Sequence, residues 1–279
     1  MSLLMGRSPT IKGSKYRYIS YGEIKDPRDR RDLCYAPKAP RAKLPPKVDL
    51  RPSCPRVHEQ GHPLTCTAHA VAGAFQFETR RLKLKDFPPS RLFIYYNTVA
   101  LVHSQHRQAI NLRSALKAVA RLGVCPENNW PFSLTKAAMA KKPNERAYRI
   151  AEHHKITRYE RIMMGRRSRE EFVRLLKSRL AEGYPFVFSF LIHESFESDH
   201  VAKTGVMPMP KRGESVKGWH AVMAVGYDEH HRRVLIRNSW GWSWGLKGYF
   251  WMPYDYIANP RMTADFWTVR GVTPLIEST

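Results

Sequence analysis

Apolar residues recur at helical spacing after Cys66, and this pattern predicts the first long helix of the chain. Val71 and Phe75 lie on one stripe of the segment, as expected for a helix that buries one face. Arg80 and Arg81 come at its end, where the helix dipole favours cations. Cys66 is therefore expected at or just before the first helical turn.

Two further helices are indicated by their capping residues. Asn111 is a suitable N-cap for a segment of helical periodicity that runs to Leu122, and Gly123 suits the C-cap. Ser168 with Glu171 three residues later is typical of a capping box, which predicts a helix that begins after Ser168. The first half of the chain is therefore predicted to be mainly helical.

The last hundred residues have a different pattern. Runs of β-branched and aromatic residues, separated by turn residues, occupy 184–192, 220–228, 233–240 and 248–254. Such runs are typical of strands, and their close spacing favours antiparallel pairing. Helices followed by a sheet predict the α+β class.

The N-terminal segment differs from both halves. Residues 1 to about 47 are rich in proline and charge and have neither helical nor alternating periodicity, so we expect an extended arm. The first 20 residues contain no apolar block followed by a cleavage site, and the longest apolar stretch is half of a membrane span. We expect neither a Sec signal nor a membrane anchor, while export by another route, or after removal of a signal, stays open.

Composition argues against disorder of the whole chain and indicates a strongly basic protein. The 279 residues are 43% hydrophobic, which is enough for a sizeable core, and they carry a net charge of +23. Residues 135–180 alone contribute +9. This segment raises the possibility of nucleic-acid or polyanion binding, but no nucleic-acid motif accompanies it and its aromatic residues are sparse. We expect mainly a solvated basic face, with non-specific anion binding or a preference for acidic substrates as alternatives.

The cysteines and histidines form no recognisable metal or disulfide framework. The four cysteines (Cys34, Cys54, Cys66 and Cys125) include no Cys-x-x-Cys pair. Whether Cys54 and Cys125 pair stays open. The histidine pairs have no His-Glu-x-x-His context, so no metal site is predicted at 153–154, at 230–231 or at the nearby pair His103 and His106.

Cys66 is the candidate nucleophile. A cysteine at a helix N-terminus experiences the positive end of the dipole, which favours the thiolate, although a lone cysteine is more often buried and inert. His220 and Asn238 lie symmetrically about the polar segment 228–232. If that segment is a hairpin turn, the two side chains lie nearly opposite each other. The amide oxygen of Asn238 could then fix the imidazole tautomer and leave the other ring nitrogen facing the thiol.

These residues and their neighbours resemble the papain-like cysteine peptidases, most closely the bacterial branch. The motifs are Gln-Gly at 60–61, Cys66 opening a helix, His-Ala-Val at 220–222, Val-Gly-Tyr at 225–227, and Asn-Ser-Trp-Gly at 238–241 with Trp-Gly at 244–245. The resemblance extends from Tyr21 to Trp267. The order Cys, His, Asn and the separation between the first two are close to the known signature of this family.

The resemblance implies a role for each matching residue. Cys66 would be the nucleophile, His220 the general base and later the general acid, and Asn238 the residue that orients the imidazole. Gln60 would donate to the oxyanion beside the Cys66 backbone N–H. Trp240 would shield the His–Asn hydrogen bond from water, with Trp244 beside it. No cofactor or metal is implied.

The sequence departs from the family pattern next to the nucleophile. The usual Cys-Gly-Ser-Cys-Trp is replaced by Pro63-Leu64-Thr65-Cys66-Thr67, so the neighbouring disulfide cysteine and the aromatic residue are absent. No disulfide is expected here. The loss of glycine brings into question the geometry of the oxyanion hole, and a catalytically weak binding module is therefore the alternative function.

The resemblance also implies an architecture and a reaction. A mainly helical lobe (45–155) would carry the nucleophile, and a lobe with an antiparallel β-barrel-like sheet (156–279) would carry the base and the orienting residue, with the site in the cleft between them. The expected reaction is hydrolysis of protein or peptide substrates by a monomer, through an acyl-enzyme thioester. Residues 1–44 occupy the position of an inhibitory pro-region and would restrain access to the cleft; the alternative is a supporting extension.

Overall fold

The chain forms an α+β structure in which one mixed sheet lies between helices. The computed structural model describes residues 21–22, 25–27, 29–37, 43–61, 63–102 and 110–273. Eight helices are present in these ranges: α1 (Cys66–Arg81), α2 (Arg91–Leu101), α3 (Leu112–Leu122), α4 (Lys136–Ala140), α5 (Glu145–Ala151), α6 (Arg169–Ala181), α7 (Asp199–Thr204) and α8 (Tyr254–Ile257). Three 3₁₀ turns cover Arg51–Ser53, Pro63–Thr65 and Glu194–Glu197.

The three helices predicted from the sequence are confirmed, because their ends are set by local chemistry. The Asn111 side chain accepts from the Ser114 backbone N–H at 2.8 Å, which caps α3. Gly123 ends the same helix at a φ of 76°, in the left-handed region that favours glycine. At the start of α6, the Ser168 hydroxyl and the Glu171 carboxylate each accept from the other residue's backbone N–H, forming the predicted capping box.

Helix α2 was not predicted from its sequence pattern. Its first five residues, 91–95, are all buried, so no polar stripe shows helical periodicity in this segment. Its N-terminus is nevertheless well defined, since the Ser90 hydroxyl accepts from the Phe93 N–H at 3.1 Å. A helix surrounded by neighbours on most sides is less visible in sequence than an amphipathic one.

Eight strands form the sheet. They are β1 (Tyr21–Gly22), β2 (Lys47–Asp49), β3 (Ile156–Arg161), β4 (Phe186–His193), β5 (Val216–Asp228), β6 (Arg233–Arg237), β7 (Tyr249–Pro253) and β8 (Thr263–Val272). The main path runs β3-β8-β4-β5-β6-β7 and is antiparallel throughout. β2 adds to β5 in antiparallel and β1 in parallel orientation.

The sheet does not close into a barrel, since β3 and β7 are the two ends of the path. The antiparallel sheet predicted for the last hundred residues is confirmed, whereas the expected barrel-like closure is corrected to an open sheet. β3 was missed because three of its six residues are charged. It pairs with β8 alone along the main path, and an edge strand tolerates such a polar sequence.

Two hydrophobic clusters cover the two faces of the sheet. Along β5, Ala221 and Met223 belong to the cluster that contains α1, whereas Val222 and Ala224 belong to the cluster that contains α6. This alternation follows from the period of two in a strand. Helix α1 is buried along most of its length and contacts β5 and β8 of the sheet as well as α2. These contacts hold its N-terminal end in place.

Buried acidic residues anchor the described part of the arm. The Asp26 carboxylate accepts from the Arg113 backbone N–H at 3.0 Å and from the Trp267 indole N–H at 2.7 Å. The Asp32 carboxylate forms ion pairs with the Arg113 guanidinium at 2.5 Å and the Arg161 guanidinium at 3.0 Å. The described arm residues contain no helix.

Within the described ranges, no helix is long and apolar enough to cross a membrane.

Candidate active site

The candidate nucleophile lies at the first residue of α1. The 3₁₀ turn Pro63–Thr65 leads directly into this helix, and Cys66 is completely buried. Thr65 occupies the N-cap position without a side-chain cap hydrogen bond. The dipole of a 16-residue helix therefore points its positive end at the Cys66 backbone N–H and thiol, as the sequence predicted.

The His220 and Asn238 side chains are hydrogen-bonded, with 2.9 Å between His220 Nε2 and Asn238 Oδ1. An amide oxygen can only accept, so Nε2 carries the proton and Nδ1 carries the lone pair that can accept a proton. The register differs from the predicted one. Met223 pairs with Arg237, and continuing that register places Asn238 beside Val222. His220 is thus a diagonal neighbour, which is still within side-chain reach.

Burial determines the charge of the His220 imidazole. Desolvation lowers its pKa to about 4, and the hydrogen bond to Asn238 opposes this shift only in part. At pH 7 the ring is therefore neutral and can act as a base. An imidazolium paired with a thiolate, the charge state typical of an activated cysteine, is disfavoured while the site remains covered.

Gln60 is linked to the His–Asn pair through Ser239, a residue that the sequence analysis missed. The Ser239 hydroxyl donates to Gln60 Oε1 at 2.5 Å, and the Ser239 backbone N–H donates to Asn238 Oδ1 at 2.9 Å. The Gln60 N–H donates in turn to the Ser239 carbonyl at 2.7 Å. Because its oxygen is engaged, the Gln60 amide group has a fixed orientation, with its N–H₂ as a donor. Its position between Asn238 and Trp240 is the one feature of the sequence that could have indicated a role for Ser239.

Trp240 and Trp244 form an aromatic wall behind the imidazole. The Trp240 ring centroid lies 5.4 Å from that of His220 at an interplanar angle of 32°, and Trp244 packs edge-on against Trp240 at 5.1 Å. Phe196 contacts Trp240 at 5.3 Å. All three aromatic rings are buried.

Strand β1 contacts both halves of the candidate site. Tyr21 and Gly22 pair with Gly218 and Trp219, which immediately precede His220. The same two-residue strand contacts the Pro63–Thr65 turn that precedes the nucleophile. A strand only two residues long thus lies against the start of α1 and the segment before the imidazole, which brings the two sets of predicted residues to one place.

The other cysteines lack the features of an activated thiol. All four cysteines are free, so Cys54 and Cys125 do not pair. Burial raises the pKa of the Cys54 thiol to about 11 and that of Cys125 to about 12. Cys34 is exposed and lies on the arm. Among the described cysteines, only Cys66 lies at the first residue of a helix.

No cluster of three or more potential metal ligands occurs among the described residues, and His103 and His106 lie outside them. In the basic segment 135–180, several cations have acidic partners. Arg161 pairs with Asp32 and Asp265, and Lys177 pairs with Glu229 at 2.6 Å. Part of this charge is therefore used for internal ion pairs.

Comparisons with known proteins agree on one family. A family model described as "Papain family cysteine protease" matches residues 100–265, which include His220 and Asn238. An uncharacterized peptidase C1-like protein of Acanthamoeba polyphaga mimivirus is 36% identical over 280 residues, with 93% of this chain and 89% of that protein covered.

Two solved structures place the fold. Xylellain, a cysteine protease from Xylella fastidiosa, matches with a TM-score of 0.82 and 39% identity, over 92% of this chain and 98% of that chain. Digestive procathepsin L 3 of the Tenebrio molitor larval midgut matches with a TM-score of 0.68 over 90% of this chain and 76% of that chain. Its 16% identity indicates a likeness of fold alone.

Proposed function

Because the chain belongs to the papain family of cysteine proteases and is a cysteine peptidase with a papain-like fold, we propose that Cys66 is its nucleophile and His220 its general base. The observation that carries this assignment is the 2.9 Å bond between His220 Nε2 and Asn238 Oδ1. It fixes the tautomer in which Nδ1 can accept the thiol proton. Asn238 acts by orienting the ring, and Trp240 and Trp244 act by excluding water.

The proposed reaction proceeds in two halves. His220 Nδ1 takes the Cys66 proton, and the sulfur attacks the scissile carbonyl carbon while the carbonyl oxygen becomes an oxyanion. The Cys66 backbone N–H and the Gln60 amide N–H donate to that oxyanion. Collapse breaks the C–N bond as the imidazolium gives its proton to the leaving amine, which leaves a thioester. Water, deprotonated by Nδ1, then cleaves the thioester and restores the thiol.

Turnover of a fluorogenic peptide tests the assignment. Cys66→Ala should abolish turnover, whereas Cys34→Ala, which alters an exposed thiol, should retain it. Full turnover by Cys66→Ala would exclude the proposed nucleophile. Loss of turnover in both variants would point to a folding defect, which circular dichroism detects separately.

The second part of the proposal is that the arm restrains this activity. The support is the pairing of β1 with Gly218 and Trp219 together with the complete burial of Cys66 and His220. The Lys25 ammonium lies 4.2 Å from the centroid of the Trp219 ring, a cation–π contact that adds to the attachment. A peptide substrate would have to displace β1 to reach the thiol. Removing β1 should therefore raise turnover.

We also propose the division of labour between lobes and the state of the enzyme. Residues 45–155 supply the nucleophile, residues 156–279 supply the base and the orienting amide, and residues 1–44 form the regulatory arm. The enzyme acts on protein or peptide substrates as a monomer. Size-exclusion chromatography with light scattering should give one chain per particle; a dimer would contradict this part of the proposal.

A further inference from the structure

A basic pocket is lined in part by Trp242, which follows Trp240 of the aromatic wall by two residues. Its volume is 230 Å³, which leaves room for several water molecules or one side chain. Three of its nine lining residues are cations, and none is acidic. The pocket is defined here by the residues that carry its charge and its walls: Arg51, Cys54, Arg56, Trp242, Lys247 and Tyr249.

Two of the three cations are available to a ligand. Arg51 is engaged by Asp49, with 2.5 Å between guanidinium and carboxylate. Arg56 and Lys247 are both exposed and have no carboxylate within 4.0 Å among the described residues. The Lys247 ammonium instead lies 5.4 Å from the centroid of the Trp242 ring, and Trp242 is itself 56% exposed. Unpaired cations beside an open aromatic ring favour an anionic side chain.

A buried cation behind the pocket increases its positive potential. The Arg237 guanidinium is only 5% exposed, and it donates to the carbonyls of Pro55 and Arg56 at 3.3 and 2.5 Å. Within the described residues it has no carboxylate within 4.0 Å. Carbonyl dipoles solvate this charge without neutralising it. The field of Arg237 therefore adds to that of the pocket cations, because screening is weak in the interior.

The pocket is lined by two segments that also carry candidate site residues. Its Arg56 is four residues before Gln60, a reach of at most ~13–14 Å in an extended chain. The His58 carbonyl between them accepts from the Gly241 N–H at 3.2 Å, which joins this segment to the loop that carries Trp240 and Trp242. Burial lowers the pKa of His58 to about 4, and Arg91, Arg237 and Arg56 lower it further, so this ring is neutral at pH 7 and the positive charge around the segment is that of the arginines.

The chemistry of the reaction determines which part of the substrate reaches the pocket. The imidazole gives its proton to the leaving amine, so the leaving fragment departs on the imidazole side of the cleft. The Trp240 ring packs 5.4 Å from the imidazole, and Trp242, two residues later in the same loop, lines the pocket. Glu59, whose carboxylate accepts from the Gly61 N–H at 3.2 Å, is adjacent in sequence to Gln60 and would repel an acid bound near that residue.

We propose that this pocket binds a carboxylate of the leaving fragment, supplied by an Asp or Glu two to four residues after the scissile bond or by the C-terminal carboxylate of a short fragment. The range of positions follows from the reach of the Arg56–Gln60 segment and a rise of about 3.3 Å per extended residue. The inference rests on the proposed function and adds a substrate class to it, namely peptides that are acidic after the cut.

The test compares internally quenched peptides that are identical except for Glu, Gln or Lys at these positions. An exposed ion pair contributes up to about fivefold, so the full-length chain should show kcat/KM about two- to fivefold higher for Glu than for Gln at low salt. Half-molar NaCl should remove the difference. Amidation of the C-terminus distinguishes the two sources of the carboxylate, because it removes only the terminal charge.

Variants with matched charge locate the effect. The double variant Arg56→Gln/Lys247→Gln should lose the preference, so that its kcat/KM values for the Glu and Gln peptides become equal. The control Arg146→Gln/Arg166→Gln removes the same charge from two exposed positions outside the pocket and should keep the preference. Equal kcat/KM for Glu and Gln peptides in the unmodified chain would overturn the proposal, as would a preference lost equally in both double variants.

A binding measurement separates this inference from the proposed catalysis. The full-length Cys66→Ala chain should bind the Glu peptide more tightly than the Gln peptide in fluorescence polarisation, whether or not the unmodified chain turns either over. Equal affinities would overturn the pocket assignment. Absence of turnover together with tighter binding of the Glu peptide would instead contradict the proposed activity and leave the pocket supported.

Discussion

Removing residues 1–24 should make the Cys66 thiol accessible without dismantling the anchored part of the arm. This truncation deletes β1 and keeps Asp26 and Asp32, whose carboxylates are bonded to the main body. The ladder between β1 and β5 pairs two residues on each side. At about 1 kcal/mol for each of roughly two backbone hydrogen bonds, the lost restraint is about 2 kcal/mol, or a factor of about 30.

The assay is the rate of alkylation by iodoacetamide, followed by peptide mapping in a mass spectrometer. Cys66 should react about 30-fold faster in the truncated chain. Cys34 is exposed in the full-length chain and lies outside the deleted residues, so it is an internal reference whose rate should not change. Equal Cys66 rates in the two chains would refute the idea that β1 covers the thiol, and peptide turnover should change in parallel with the labelling.

The pH dependence of the same experiment follows from the state of His220. Its pKa is about 4 when covered and should return toward about 6.5 when water enters. The covered state therefore binds fewer protons, so the restraint is fully present above pH 6.5 and weakens as the pH falls toward 4. The ratio of the two labelling rates should shrink over this interval. A ratio that grows at acid pH would contradict the assigned direction.

Three further substitutions test separate parts of the structure. Gln60→Ala should lower kcat about 100-fold with little change in KM, because its N–H is proposed to donate only to the transition state; an unchanged kcat would exclude that role. Asp32→Asn should lower the free energy of unfolding in urea by about 3 kcal/mol, since Arg113 and Arg161 lose their buried partner, and a loss below about 0.5 kcal/mol would contradict the anchor. Burial lowers the pKa of His154 to about 4, so this residue lowers the free energy of unfolding as the pH falls from 6.5 to 4. His154→Gln should make the free energy of unfolding depend less steeply on pH in this interval, and an unchanged slope would contradict the assignment.

Local chemistry was sufficient to predict the element that carries the nucleophile. The periodicity after Cys66 and the basic residues at its end defined α1, because these signals need no knowledge of the rest of the fold. The contact between His220 and Asn238 was also predictable from a hairpin. Its register was not, since the ladder has an irregularity between Ala224 and Gly226 that no residue pattern announces.

Features that depend on distant segments could not be predicted. Strand β1 pairs with β5 at Gly218, which lies nearly two hundred residues later in the sequence. The role of Ser239 depends on Gln60 lying opposite it, since a serine alone has no periodic signature. The neutral state of His220 is a consequence of complete burial, which is a property of the assembled site.

The covalent intermediate is the most direct test of the central claim, that the Cys66 sulfur attacks the substrate carbonyl with His220 as its base. The chain would be mixed with a slowly hydrolysed ester substrate, quenched in acid and digested, and the acyl group located by mass spectrometry. We expect the acyl group on Cys66, with its rate of formation strongly reduced in His220→Ala. An acyl group on another residue, or an undiminished rate in His220→Ala, would contradict the account.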